Sequence, residues 1–211
     1  MASVSRQIGW SNESNLLYQI LKQITKLTSV VFGLKPKYKV FTALLTQSGG
    51  SQYQEANGGD LLFKGYTYLI VSNGDSGSDA DLSEFGAPNN NVGTYFICSK
   101  DGNAPVPSTG NLGLGYDLGA PVATVLENTI GNIWFKYVAI GFYSVNSNNL
   151  FIEDKTAVDI DACGEVNFPN DSFISNETIF PPNIFQIYTT KASSLADEVL
   201  TKNRLEIKVY Y

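Results

Sequence analysis

Apolar residues near the start of the chain recur three or four positions apart. This spacing predicts an amphipathic helix over residues 12–31, which Gly33 and Pro36 would end. The positions on its apolar stripe are Leu16, Leu17, Ile20, Leu21, Ile24, Leu27 and Val31. A helix with one apolar stripe needs a surface that covers it, so we predict that these residues serve oligomerisation or attachment.

After Pro36 the pattern changes to short apolar or alternating runs separated by Gly, Asn, Asp and Pro, which is typical of strands and turns. The predicted strands cover residues 38–46, 65–72, 93–99, 122–127, 133–145, 156–160, 184–189 and 204–211. A short helical turn is predicted over residues 193–202. The predicted fold class is therefore mainly β, with an N-terminal amphipathic helix followed by an antiparallel β-sandwich or barrel-like body.

Composition limits the chemistry available to this chain. Its 211 residues include no histidine, which excludes Ser-His-Asp and Cys-His catalysis and removes a preferred zinc ligand. Cys98 and Cys163 form no CxxC pair, so we expect two reduced, buried thiols. No apolar run is long enough to span a membrane, and the N-terminus has no secretion signal pattern, so no membrane partner is predicted.

Charge is distributed unevenly along the chain. Residues 1–42 carry six basic side chains and one acidic side chain, whereas the remaining 169 residues carry 8 basic and 19 acidic ones. Nucleic acid is a poor partner for such an acidic body, because phosphate binding needs a concentrated basic face. The basic arm can meet an acidic protein surface, or it can be a solvated helix face.

The acidic residues suggest no catalytic or metal site. Asp75, Asp79, Asp81 and Glu84 form one acidic loop, which is the one cluster in the sequence that could bind a hard cation such as Ca²⁺, but their spacing differs from that of an EF-hand and such loops are commonly solvated turns. Nothing makes two of the remaining candidate carboxylates converge, as sugar cleavage would require. Those candidates are Glu127, Glu153, Asp154, Asp159 and Asp161. The glycines of residues 110–115 lack a βαβ setting, so no catalytic residue, cofactor or metal is predicted.

Several strings of the sequence resemble a known class of protein. They are IGWSNESNLL at residues 8–17, FTALLTQSG at 41–49, APVATVLENTIG at 120–131 and LEIKVY at 205–210. Together they resemble small virion structural proteins, fibre or tail-associated, of tailed bacteriophages of the crAss-like type. In many such proteins the second and third strings follow one another directly, whereas here about 70 residues separate them.

The separating residues resemble another recurring phage module, with a Tyr-rich strand, an acidic loop and a Gly-Ala-Pro-Asn string at residues 86–89. We therefore predict three parts: an N-terminal arm and helix at residues 1–36, a β-rich body at 37–49 plus 120–211, and an inserted β subdomain at 50–119. Aromatic residues are frequent in the body and in the insert, and in strands they are most often core pairs. The alternative is a patch that contacts carbohydrate or protein.

The resemblance implies a non-enzymatic virion protein, and we predict a head- or tail-attached fibre component anchored through its N-terminal helix. The alternatives are a ring or collar adaptor between portal and fibres and a host-glycan-binding module. The expected partners are other virion proteins of the capsid, portal, collar or tail, together with further copies of the chain. The short apolar stripe suits a homotrimer. The expected localisation is the virion, after synthesis in the host cytoplasm without a signal peptide.

Overall fold

The computed structural model describes residues 19–23, 37–161, 172–179, 184–191 and 194–211, with the backbone alone over 172–179. It divides the chain into two compact units, Met1–Lys37 and Tyr38–Tyr211. The larger unit is mainly β and its sheets are antiparallel, which confirms the fold class at that level. The predicted N-terminal helix falls mostly outside the described residues, of which 19–23 are helical.

The described residues of the larger unit contain fifteen strands. They are β1 (Tyr38–Thr46), β2 (Tyr53–Asn57), β3 (Leu61–Leu62), β4 (Thr67–Asn73), β5 (Tyr95–Ile97), β6 (Gly102–Asn103), β7 (Leu112–Asp117), β8 (Val122–Asn128), β9 (Ile133–Ala139), β10 (Phe142–Ser147), β11 (Thr156–Ile160), β12 (Ser172–Ile179), β13 (Ile184–Lys191), β14 (Ser194–Leu195) and β15 (Thr201–Tyr210). One turn of 3₁₀-helix, Ser83–Phe85, lies between β4 and β5.

Two of the antiparallel sheets form a sandwich-like body. The first sheet has the order β11-β15-β1-β8, and the second has the order β12-β13-β10-β9 with β14 paired to β13. Alternate residues of β1 and β15 are apolar, and the register sets Phe41 opposite Ile207 and Ala43 opposite Leu205. Because side chains alternate between the two faces of a strand, this register gives the first sheet one apolar face.

One hydrophobic core joins the two sheets. The ring of Phe41 on β1 contacts the ring of Phe135 on β9, with 6.3 Å between ring centroids. The fully or nearly buried residues of this core include Phe41, Ala43, Leu45, Ile133, Phe135, Tyr143, Val145, Phe185, Ile187, Leu205 and Ile207. Because both sheets contribute to it, their facing sides pack as a sandwich.

Residues between β1 and β8 build a third sheet, with the order β2-β7-β4-β5, and the small pair β3-β6. These strands have their own hydrophobic cluster. Its members are Ala56, Leu62, Tyr68, Ile70, Ala80, Leu82, Phe85, Ala87, Phe96, Cys98, Ala104, Leu112 and Leu114. Cys98 is a buried free thiol, as expected, whereas Cys163 lies outside the described residues.

The chain leaves and rejoins the first sheet at one place. Thr46, the last residue of β1, is opposite Val122, the first residue of β8. A Cβ atom on Gly119 would lie 2.7 Å from the backbone of Gly50, so the outgoing and returning segments are in direct contact. The buried side chain of Gln47 donates to the carbonyl of Gly119 at 3.1 Å. The division of the chain at residues 50 and 119 stays a prediction.

The structure corrects two of the predicted elements. Residues 133–145 form a hairpin, not one strand, because Gly141 has a positive φ of 62° and turns the chain between β9 and β10. The predicted helical turn over 193–202 is also wrong. Residues 194–195 form β14 and β15 begins at Thr201, while Glu198 and Lys202 have φ values of 63° and 60°, which a right-handed helix does not accept.

Candidate functional site

The predicted oligomerisation stripe is described only in part. Ile20 and Leu21 lie in the helical residues 19–23, and their side chains are 45% and 64% exposed. The remaining positions of the stripe lie outside the described residues: Leu16, Leu17, Ile24, Leu27 and Val31. The role of this stripe in oligomerisation or attachment therefore stays a prediction.

The carboxylates Asp79, Asp81 and Glu84 of the acidic loop each bind different partners and do not converge on one point. Asp79 accepts hydrogen bonds from the hydroxyls of Thr109 and Ser108 and from the Thr109 N–H, at 2.7, 2.9 and 3.0 Å. These donors stabilise the carboxylate, so they lower the pKa of Asp79. Asp79 therefore ties the loop that follows β4 to the loop that precedes β7.

Two other members of the acidic loop, Asp81 and Glu84, have separate partners. Asp81 accepts a hydrogen bond from the N–H of Ser83 at 2.9 Å, and the pKa of Asp81 is lowered mainly by Ser83. Glu84 forms a 2.6 Å ion pair with Lys100. Across the part of the chain that the structure describes, no three side chains of the types that bind metals form a group.

The remaining acidic candidates are dispersed over the sandwich. Glu127 lies on β8 and Asp159 on β11, which are the two opposite edges of the first sheet. Asp161 lies 3.8 Å from Arg204. Glu153 and Asp154 lie in the turn before β11. The structure therefore does not bring Glu127 and Asp159 together as an acid pair.

A different site, which we call the tyrosine cleft, lies between the third sheet and β9. Its principal residues are Tyr53, Tyr95, Gly115, Asp117, Lys136 and Tyr137, and its volume is about 160 Å³. On the third sheet, the register sets Gly115 opposite Leu69, which is itself opposite Tyr95. The ring of Tyr53 extends across Gly115, because a Cβ atom there would lie 3.0 Å from ring carbons of Tyr53.

The opposite wall of the cleft comes from the sandwich. The ammonium group of Lys136 lies 4.0 Å from the ring centroid of Tyr95, a favourable cation–π distance. Tyr95 stacks on Trp134 with 5.4 Å between centroids and 5° between ring planes. The N–H of Phe135 also donates to the hydroxyl of Thr67 at 3.2 Å. These contacts hold β9 against the third sheet, so both walls have a defined position.

Some polar groups of the cleft already form hydrogen bonds within the protein, and others do not. Asp117 accepts hydrogen bonds from Ser51 and Gln52 at 2.6 and 2.8 Å, and also from Gly119. Tyr137 donates to Asp197 at 3.1 Å, and burial together with this bond raises the pKa of Tyr137.

The open groups of the cleft are two hydroxyls and an ammonium. Among the described residues, no hydrogen bond engages the hydroxyls of Tyr53 and Tyr95, and no carboxylate pairs with Lys136. Tyr53 is 57% exposed, so much of its ring surface is open to solvent. The cleft therefore offers an accessible aromatic ring beside groups that can still make hydrogen bonds.

A larger groove of about 360 Å³ lies on the other side of this junction, between β8 and the residues that follow β5. Phe41, Ile97 and Val125 give it an apolar lining, and Lys64 also lines it. Ile97 packs against the core of the sandwich, so the third sheet covers the gap between the edge strands β8 and β9 at this point.

Sequence reasoning did not find the tyrosine cleft. It interpreted the aromatic residues of the body and the insert as core pairs or as a contact patch, and it assigned neither Tyr53 nor Lys136 to a site. The available signal was the run LGLGYD of β7, in which glycines occupy alternate positions. Glycine at alternate positions leaves one face of a strand without side chains, and an aromatic residue from a neighbouring strand can cover that face.

Comparisons with known proteins identify no relative. No family model matches the chain, no curated protein matches it and no solved structure matches it. Within the described residues, no helix has the length and apolar character needed to cross a membrane. The residues and their geometry therefore carry the functional inference.

Proposed function

We propose that this chain is a non-enzymatic structural protein of a tailed-bacteriophage virion, a fibre component attached to the head or tail through its N-terminal helix. It would act by assembly with further copies of itself and with other virion proteins, and a trimer is the state that the short apolar stripe suits.

The observation that carries the proposal is the arrangement of the strings that resemble virion proteins. FTALLTQSG supplies most of β1, APVATVLENTIG supplies β8 and the turn after it, and LEIKVY supplies the end of β15. These strings are far apart in the sequence, yet β15, β1 and β8 are hydrogen-bonded neighbours in the first sheet. Three of the four strings therefore meet in one sheet, which supports common architecture better than scattered matches do, and the fourth, at residues 8–17, lies outside the described residues.

The hydrogen bonds of the buried Gln47 side chain also support a structural role. The buried side chain of Gln47, from the FTALLTQSG string, accepts the N–H of Glu198 and donates to the carbonyl of Gly119. It therefore joins β1 to the segment before β15 and to the segment before β8. Such a residue positions the chain and leaves no free group for chemistry.

The direct test is the protein content of purified virions. Mass spectrometry of density-purified particles should detect peptides of this chain in a fixed ratio to the major capsid protein. Immunogold labelling should then place it on projecting fibres. If the chain is abundant in infected cells but absent from purified particles, the proposal is wrong, and labelling at the portal or collar would favour the ring adaptor instead.

The role of the N-terminal helix has its own test. Replacing Ile20 and Ile24 with Asp places charge on the predicted apolar stripe, and we expect the oligomer to dissociate because buried charge is costly. The matched control replaces Gln19 and Gln23 with Asp, which adds the same charge to the predicted polar face. Multi-angle light scattering should show loss of oligomer mass for the first variant alone; equal masses for both would refute the assignment of the stripe.

A further inference from the structure

The tyrosine cleft has the properties of a binding site whose polar groups the fold does not fully use. Two polar groups of the cleft have partners within the fold: Asp117 accepts hydrogen bonds from Ser51 and Gln52, and Tyr137 donates to Asp197. Lys136 and the hydroxyls of Tyr53 and Tyr95 instead line a concave surface at the meeting of two packed sheets. Ligand sites occur preferentially at such junctions, where a few polar groups converge on an aromatic lining.

The shape of the cleft limits what can fill it. A volume of about 160 Å³ is smaller than the roughly 300–1,000 Å³ of pockets that enclose a drug-sized molecule. One six-membered sugar ring matches this size, and the rest of an oligosaccharide would remain in solvent. A ligand held by one end in this way suits binding without catalysis, since no pair of free carboxylates lines the cleft among the described residues.

The chemistry of the lining matches a sugar ring. One side of a pyranose ring presents C–H groups, which pack on the flat face of an aromatic ring such as Tyr53. The hydroxyls around its edge both donate and accept hydrogen bonds. Lys136 donates only, while the hydroxyls of Tyr53 and Tyr95 can do either. The open groups therefore complement a polyhydroxylated ring.

Charge favours a neutral sugar over an acidic one. The lining contains the ammonium of Lys136 and the carboxylate of Asp117, which balance each other. The chain as a whole has a formal net charge of −6, which repels anions at long range. A uronic or sialic acid would add a second carboxylate to a cleft that already contains Asp117.

We propose that the tyrosine cleft binds one neutral pyranose unit of a glycan, which stacks on Tyr53 and accepts a hydrogen bond from Lys136. This site is a second property of the chain, beyond its proposed place in the virion. An extended peptide is the less suitable occupant, because a cleft of this size does not hold several residues.

Saturation-transfer NMR of the whole chain tests the proposal with four probes: glucose, galactose, mannose and N-acetylglucosamine. At least one should receive saturation, most strongly at its ring C–H protons. Tyr53→Ala should weaken that binding by about tenfold or more, because it removes the stacking surface. Tyr53→Phe keeps the ring and should retain most of the binding. Lys136→Met, on a different strand, should also weaken binding while it preserves the length of the side chain.

The control is Tyr210→Ala. Tyr210 is 42% exposed and lies on β15 opposite Tyr38, at the other end of β1 from the segment that leads to the cleft. The Tyr210→Ala variant should bind the sugar as tightly as the unchanged chain does. The proposal is overturned if none of the four sugars receives saturation, if Tyr53→Ala and Lys136→Met bind normally, or if glucuronic or N-acetylneuraminic acid binds and the neutral sugars do not. None of these results affects incorporation into virions, which is measured separately.

Discussion

The sandwich and the third sheet are stabilised in different ways. The sandwich core consists mainly of large aliphatic and aromatic side chains, and β1 pairs with β15, a strand from the other end of the described chain. The cluster under the third sheet contains four alanines and a cysteine beside its larger residues. Its strands come from a single stretch of sequence, between Tyr53 and Asp117.

Side-chain hydrogen bonds in the loops of the third sheet supplement its smaller hydrophobic cluster. Asn73 is fully buried and makes three hydrogen bonds that hold the loop after β4, to the carbonyl and N–H of Ala80 and to the carbonyl of Asn90. A small hydrophobic cluster contributes less stability than a large one, so such polar ties have more weight there. Apolar substitutions should therefore destabilise the sandwich most, and loss of single polar groups should destabilise the third sheet and its loops most.

The largest expected effect is that of Phe41→Ala. Phe41 is fully buried between the two sheets, so its loss leaves a cavity and should lower the free energy of unfolding by about 3–5 kcal/mol. Guanidinium denaturation followed by circular dichroism measures this change. Phe63→Ala is the control, since Phe63 is 43% exposed, and it should cost less than about 1 kcal/mol. Equal losses for the two variants would remove the contrast between core and surface.

Asn73→Ala should have a smaller and local effect. Removal of its side chain leaves buried backbone groups of Ala80 without partners, which should cost about 2–3 kcal/mol. Hydrogen exchange should become faster in residues 78–92 and stay unchanged in β1 and β15. Asn91→Ala is the control, because the side chain of Asn91 makes no hydrogen bond to a described residue. Faster exchange throughout the sandwich would show that the two regions are not independent.

Tyr143→Phe should have the smallest effect at neutral pH and a distinct effect at alkaline pH. Tyr143 is buried in the sandwich and donates to Asp197 at 2.9 Å, so the loss of its hydroxyl should cost about 1–2 kcal/mol. Burial, with the nearby Asp197 carboxylate, raises the pKa of Tyr143 above its usual 10.0.

The direction of the pH dependence follows from that shift. A folded-state pKa above the unfolded one adds stability that is complete below about pH 10 and is lost as the pH rises further. Denaturation midpoints between about pH 8 and 11 should therefore fall less steeply for Tyr143→Phe than for the unchanged chain. Tyr210→Phe, at an exposed position, should keep the original slope. Identical slopes for all three proteins would contradict the role assigned to Tyr143.

Alternation predicted the sandwich better than it predicted the third sheet. The patterns at residues 38–46 and 156–160 match β1 and β11, because apolar residues alternate there and turn residues flank them. The strand β7 was missed, since its alternate glycines resemble a loop. The break at Gly141 was missed because apolar residues continue on both sides of it.

The candidate site could not be predicted from the sequence for a different reason. Tyr53 and Lys136 are 83 positions apart and lie on strands of different sheets, β2 and β9. Neither residue belongs to a motif, and only the packing of β9 against the third sheet brings them together. Periodicity reports which face of an element is apolar, but it does not report which elements become neighbours.

The contact between Gly50 and Gly119 brings together the two ends of the segment that builds the third sheet. Because the two backbones touch, the ends of the segment that they enclose lie next to each other, as the ends of a closed loop do. The entropic cost of closing such a loop grows only with the logarithm of its length, by about 0.6 kcal/mol for each doubling. A longer or shorter segment between residues 50 and 119 should therefore change the stability of β1 and β8 little, provided that its ends still meet at Gly50 and Gly119.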